Sequence, residues 1–246
     1  MSLTVKIALS PLLVTQALLA RRRMPRLPEP NGQRHGVVGA PGATVLRLLV
    51  TGDSSAAGVG ATTQRDALAR ILAERLSKAC AARVHWRLVA RSGLTTAGTL
   101  HLLQREAPEQ ADLAVVVSGV NDVVEQVPSH HAVSARDSLA NWLRNAHGVQ
   151  HVAFAPLPPV HHFPGLPQPL RWVAGADARR HNRALERWAR TRGDVSSVDM
   201  ELPLTPGLMA ADGFHPGPAA YRHSATAIAQ HVAKRVWPLL NLDQPA

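Results

Sequence analysis

Leu113-Ala114-Val115-Val116-Val117-Ser118-Gly119-Val120-Asn121-Asp122 runs from an unbroken, valine-rich apolar stretch straight into a Gly/Asn/Asp turn. Five apolar residues are too few for a helix and suit a strand. With no polar residue on either face, that strand is one covered on both sides, as at the centre of a parallel sheet. Outward from it, short apolar runs alternate with longer amphipathic ones. Upstream lie a helix over 95–106, halted by Pro108, and a strand over 84–90 in which Val84, Trp86, Leu88 and Ala90 fall at every second position. Before those, Ala67, Leu68, Ile71, Leu72, Leu76 and Ala79 recur at helical spacing, and VLRLLV at 45–50 reads as a buried strand. Downstream come a helix over 132–146, a strand over 152–155, a Pro- and His-rich irregular stretch over 156–169 and a helix over 177–190. A short fifth strand over 195–198 and a closing helix over 218–237, with Pro218 in its first turn, complete the pattern.

Strict β/α alternation predicts an α/β fold: a three-layer αβα sandwich around a central parallel sheet of about five strands, flavodoxin-like in the broad sense. Such sheets bind ligands at the carboxyl ends of their strands, and the unusual residues of this chain fall mostly there.

Gly52-Asp53-Ser54-Ser55 follows the first strand. A serine becomes a nucleophile when it is exposed, held and paired with a base, and a turn at a strand end supplies the exposure. Taken alone, the tripeptide equally suits a helix N-cap. Asp212-Gly213-Phe214-His215 precedes the closing helix. Its spacing lets the carboxylate fold back on the imidazole Nδ1–H, leaving Nε2 to take a serine proton. The same pair also suits a metal or a simple DG turn. Gly93, after the second strand, allows close approach of a backbone N–H to a substrate. Asn121, after the third, offers a neutral amide donor, and donors of this kind serve a developing oxyanion.

Together these four loops, in this order, resemble the four sequence blocks of the SGNH hydrolases, also called the GDSL esterase/lipase family. The match extends from about Leu46 to the closing helix. Ser54 corresponds to the nucleophile of the GDS block, Gly93 to the glycine of the second, Asn121 to the asparagine of the GxND block, and Asp212 and His215 to the DxxH block. The resemblance implies a serine esterase acting on carboxylic esters through an acyl-enzyme on Ser54, with His215 as general base. It implies an oxyanion hole of the Ser54 N–H, the Gly93 N–H and the Asn121 side chain, and no cofactor or metal. Ser55 departs from the longer motif, which has Leu at that position.

Two other readings compete with this one. A metal-dependent deacetylase built on His130-His131 and His161-His162 is disfavoured because adjacent histidines lack i, i+4 geometry. A phosphate- or nucleotide-binding module on 52–63 lacks the lysine that a P-loop needs, since none occurs between Lys6 and Lys78.

At 246 residues the chain suits one α/β domain, placed at 37–246 behind an N-terminal apolar segment and basic, Pro-rich linker over 1–36. Its formal net charge of +10 does not point to nucleic acid, because the arginines are scattered and one Tyr and three Phe leave few stacking platforms. A small-molecule or lipid ester remains the expected partner, and a monomer the expected state. The single cysteine, Cys80, permits no internal disulfide. The uncharged run over 7–20, abutting Arg21-Arg22-Arg23, reaches about 21 Å as a helix, short of a bilayer core of about 30 Å. Peripheral membrane contact through 7–23 is therefore one reading and a helix packed on the protein's own surface the other. Only Lys6 precedes the run, unlike a secretory signal, which favours a cytoplasmic or membrane-associated protein over a secreted one. Finally, the irregular loop after the fourth strand is stiff and apolar, and Phe163, Leu166 and Trp172 are the expected walls of an acyl pocket.

Overall fold

A computed structural model describes residues 3–200 and 206–242; positions 1–2 of the N-terminal segment, and 201–205 and 243–246 of the main domain, lie outside the described residues. Five parallel strands form where the apolar runs predict them: β2 (Val45–Gly52), β3 (Arg83–Ala90), β4 (Leu113–Val117), β5 (His151–Phe154) and β6 (Val195–Ser197). A further strand, β1 (His35–Val38), pairs antiparallel with β3 at the edge, giving the order β1-β3-β2-β4-β5-β6. This strand of four residues is not read from the sequence, because its residues alternate only between exposed and half-buried. It crosses position 36, so the sheet begins within the stretch read as a linker.

β4 behaves as a strand covered on both faces. Leu113 and Val115 join a core with Leu46, Leu48 and Val50 of β2, beneath α3 (Leu68–Cys80) and α8 (Pro218–His231). Ala114 and Val116 face the other way, with Leu49, Val152 and Phe154, beneath α4 (Thr96–Glu106), α6 (Ser129–His147) and α7 (Leu170–Ala189). Each large side chain withdrawn from water here contributes about 1.5–3 kcal/mol. The three layers follow from this alternation of faces.

Two helix limits differ from the periodicity. α7 begins at Leu170, directly after Pro169, seven residues before the expected start. The closing helix is regular only to His231 and then widens into a π turn over Val232–Val236.

The N-terminal segment is helical as α1 (Leu3–Arg23). Ala20 packs into a small third core with Phe163, Leu166 and Ala178. Gln16 donates to the Gln168 carbonyl at 2.6 Å and accepts the Leu170 N–H at 3.1 Å. Ile7, Leu12, Val14, Leu18 and Leu19 remain exposed. Among the described residues no helix is long and apolar enough to cross a membrane.

Candidate active site

The chain leaves β2 for β3 on one side and later returns to β4 on the other, which opens a crevice between their carboxyl ends. The register puts Gly52 opposite both Ala90 and Val117, so three strands end level with one another. The Ser54, Gly93 and Asn121 turns therefore emerge side by side. Gly52 has φ +143°, and a Cβ there would lie 1.9 Å from the Val117 carbonyl oxygen, so only glycine fits.

Ser54 opens a one-turn helix, α2 (Ser54–Ala57). Asp53 caps it, its carboxylate accepting the Ser55 N–H at 2.9 Å. The capping role this motif suggests thus falls to Asp53 and leaves the Ser54 side chain outside the cap. A helix's first N–H groups have no acceptor within the helix, so the Ser54 N–H is free to face a substrate.

His215 Nε2 lies 3.0 Å from Ser54 Oγ, although 161 positions separate the two residues. His215 Nδ1 lies 2.5 Å from Asp212 Oδ2, while Asp212 Oδ1 accepts the N–H groups of Phe214 and His215, each at 3.0 Å. Burial opposes the charge on Asp212, but these hydrogen bonds outweigh it and hold the carboxyl below its usual range. The anion in turn fixes the Nδ1–H tautomer, which leaves the Nε2 lone pair directed at the serine.

Asn121 sits in the short helix α5 (Val120–Val124), and its Nδ2 donates to the Leu94 carbonyl at 3.0 Å. One amide hydrogen is thereby spent on the Gly93 turn and the other remains for the crevice. Gly93 is exposed with φ +84°, and a Cβ added there would meet nothing within 4 Å, so its backbone conformation alone calls for glycine.

Residues other than the five assigned to the site hold these turns together. Asp122, next to Asn121, accepts both the Thr96 N–H at 2.9 Å and the Thr96 hydroxyl at 2.6 Å, tying the Gly93 turn to the Asn121 turn. Arg136 lies behind it with Nη2 3.8 Å from Asp122 Oδ2, both side chains almost fully buried. Glu29 accepts the Ser92 N–H at 2.7 Å and the Ser92 hydroxyl at 2.8 Å from the opposite side, and pairs with Arg34 at 2.8 Å. Sequence reasoning passes over Glu29 because it stands in a Pro-rich stretch. Asp122 is visible in the GxND block, but its adjacency to Asn121 reads locally as a cap. Buried beneath the site, Asp53 is pushed up to about 7, chiefly by desolvation; the N–H groups of Ser55 and Gly119 and the nearby His215 oppose that shift.

Ser54, Asn121 and His215 line one cleft, whose apolar walls include Leu68, Val120, Phe163, Met209, Phe214 and Ile228. The cleft contains about 760 Å³ of space, open solvent at its mouth included. Phe163 meets Phe214, within the His215 loop, edge-to-face at 5.3 Å. The other two expected pocket residues lie elsewhere. Leu166 packs toward α1 in the third core, and Trp172, carried outward by the early start of α7, is 47% exposed.

The histidine pairs of the deacetylase reading pack on themselves, with ring centroids 4.2 Å apart in each. Among the described residues no three His, Cys, Asp or Glu side chains converge as a metal-binding group. The glycines of the phosphate-loop reading are used for packing: a Cβ on Gly60 would lie 2.2 Å from the Pro216 carbonyl oxygen, so the first block abuts the His215 loop.

Comparison with known proteins gives a family match over residues 50–223, to the GDSL-like lipase/acylhydrolase family. No curated protein sequence matches the chain. Among solved structures it is similar to the lipase Lip_vut3 from a goat rumen metagenome, at 19% identity and TM-score 0.63, covering 77% of this chain and 98% of that one. It is similar to TesA at 25% identity and TM-score 0.59, over 76% and 97% of the two chains. A catalytic mutant of Axe2, an acetylxylan esterase from Geobacillus stearothermophilus, aligns at 18% identity and TM-score 0.54, over 81% and 97%.

Proposed function

This chain belongs to the GDSL-like lipase/acylhydrolase family, and from that premise we propose that it hydrolyses carboxylic esters through an acyl-enzyme on Ser54. The observation that carries the reading is the unbroken relay from Asp212 through His215 to Ser54, at 2.5 and 3.0 Å.

In the first half-reaction Ser54 Oγ attacks the ester carbonyl carbon as its proton passes to His215 Nε2. Asp212 stabilises the imidazolium that forms. The carbonyl oxygen becomes an oxyanion among the Ser54 N–H, the Gly93 N–H and the free Asn121 amide hydrogen. Each such donor lowers the barrier by about 3 kcal/mol. Collapse of the tetrahedral species expels the alcohol, which takes the proton from His215. Water, deprotonated by the same Nε2, then attacks the acyl-enzyme and regenerates Ser54. The apolar walls around Phe163 and Met209 support an ester with an apolar acyl chain.

A fluorophosphonate should label Ser54 alone, and Ser54→Ala should lose both labelling and hydrolysis of p-nitrophenyl esters while keeping its circular dichroism spectrum. An acyl series from acetate to palmitate, run beside acetylated sugars and lysophospholipids, identifies the preferred ester. Labelling at Ser55, or full activity in the alanine variant, would overturn the assignment.

A further inference from the structure

We propose that α1 is a docking helix for an anionic bilayer surface, and that its seat on the 163–170 loop brings the catalytic cleft to that surface. Apolar residues occupy this helix on all sides, and a helix of that kind is normally buried in protein or in lipid. Here one narrow stripe is covered: Ala20 is buried and Leu9, Leu13 and Gln16 are half-buried, whereas Ile7, Leu12, Val14 and Leu18 are at least 46% exposed. The uncovered surface thus runs from Ile7 to Leu19.

Charge identifies what covers it. No acidic residue occurs among positions 1–28, and Arg21, Arg22 and Arg23, all exposed, close the helix, with Arg26 just beyond. An apolar rod ending in a collar of guanidinium groups matches a membrane with anionic headgroups, the apolar part entering the acyl boundary and the arginines remaining among the phosphates. No described helix is long and apolar enough to span, so α1 lies in the interface.

Its attachment reaches the active site in one step. Gln16 is bonded in both directions to the loop, at Gln168 and Leu170. That loop contributes Phe163 to the cleft, and its Gly165 N–H donates to the Gly213 carbonyl at 3.0 Å, inside the Asp212–His215 turn. Docking therefore presents the acyl cleft to esters held in the lipid phase; this second half of the proposal rests on the esterase reading, whereas the docking does not.

Sedimentation of the full chain with phosphatidylcholine vesicles, with and without phosphatidylglycerol, tests it. Binding should require the anionic lipid and weaken in high salt. Replacing Arg21, Arg22 and Arg23 together with Gln should lower the partition on the order of a hundredfold, at about 1 kcal/mol for each basic residue. Leu12→Asp with Leu18→Asp should abolish binding while leaving hydrolysis of a soluble short-chain ester unchanged, and hydrolysis of a vesicle-borne ester should fall with binding. Ser54→Ala should bind like the parent, which separates docking from the catalytic assignment. Equal binding to neutral and anionic vesicles, an unaffected arginine variant, or a dimer in light scattering that Leu18→Asp converts to monomer would each overturn the proposal.

Discussion

Asp53→Asn isolates the cost of holding a carboxyl group beneath the Ser54 turn. The side chain is 2% exposed, and burial moves its pKa from an ordinary 3.8 to about 7. Between those pH values the folded protein holds a proton that the unfolded chain has released. Protonation there favours the fold, so this group's contribution falls as pH rises from about 4 to 7, and above 7 the fold carries the whole cost of ionising it. At about 1.4 kcal/mol per pH unit, that cost is about 4 kcal/mol at pH 8. Asparagine keeps the shape, cannot ionise, and caps a helix as well as aspartate does, so the Ser55 N–H retains its acceptor. For a chain of this length about 1 kcal/mol shifts Tm by about 2–4 °C. The variant should therefore melt about 8–16 °C above its parent at pH 8, with the difference closing to nothing near pH 4. Thermal unfolding of both proteins by circular dichroism across that range is the assay. Subtracting one curve from the other cancels His151, His181 and His231, whose burial lowers their pKa values, and the depressed Asp212. An increment that does not change with pH, or a variant less stable than its parent at pH 8, would refute the reasoning.

Asn121→Ala should lower kcat on the order of a hundredfold with little change in KM, as for a donor used mainly in the transition state; a raised KM at constant kcat would make Asn121 a ground-state binding residue. Asp122→Ala removes the acceptor of both Thr96 bonds and strands the Arg136 guanidinium at 1% exposure, so urea unfolding should show a loss of about 3–5 kcal/mol. Arg136→Met should cost less, because Thr96 still satisfies the carboxylate, and equal losses would show that the pair and not the Thr96 bonds holds these turns. Phe163→Ala should change the kcat/KM ratio between short and medium acyl esters several-fold, whereas Leu166→Ala should only lower stability. If both variants shifted the ratio alike, the cleft would extend toward α1.

Much of the framework is legible in the sequence because its signals are short-range. The five parallel strands and the helices between them follow from periodicities that span a few residues, and Pro108 and Pro218 mark helix limits through the local chemistry of proline. The turn residues Gly52, Gly93 and Gly213 likewise report backbone conformations that any reader of the chain can anticipate, and all three have positive φ. β1 escapes such reading since an edge strand of four residues buries neither face fully. Leu166 and Trp172 are misplaced for a related reason: their apolarity is visible, but which surface each meets depends on where α7 starts and where α1 docks.

The residues able to form a relay are thus written in the chain, but their relation is not. Nothing local to Ser54 or His215 states that they meet at 3.0 Å; the level endings of β2, β3 and β4 and the closure of the 210–217 loop against Gly60 bring that about. Asp53 and Arg136 make the same point energetically. As residue types they are ordinary surface charges, and only the packing of the sheet, α5 and α6 around them removes the water that would keep them so. Periodicity and turn chemistry act between neighbours along the chain, and the sequence determines them directly. Desolvation and convergence depend on every element that arrives from elsewhere, and only the assembled tertiary structure decides those.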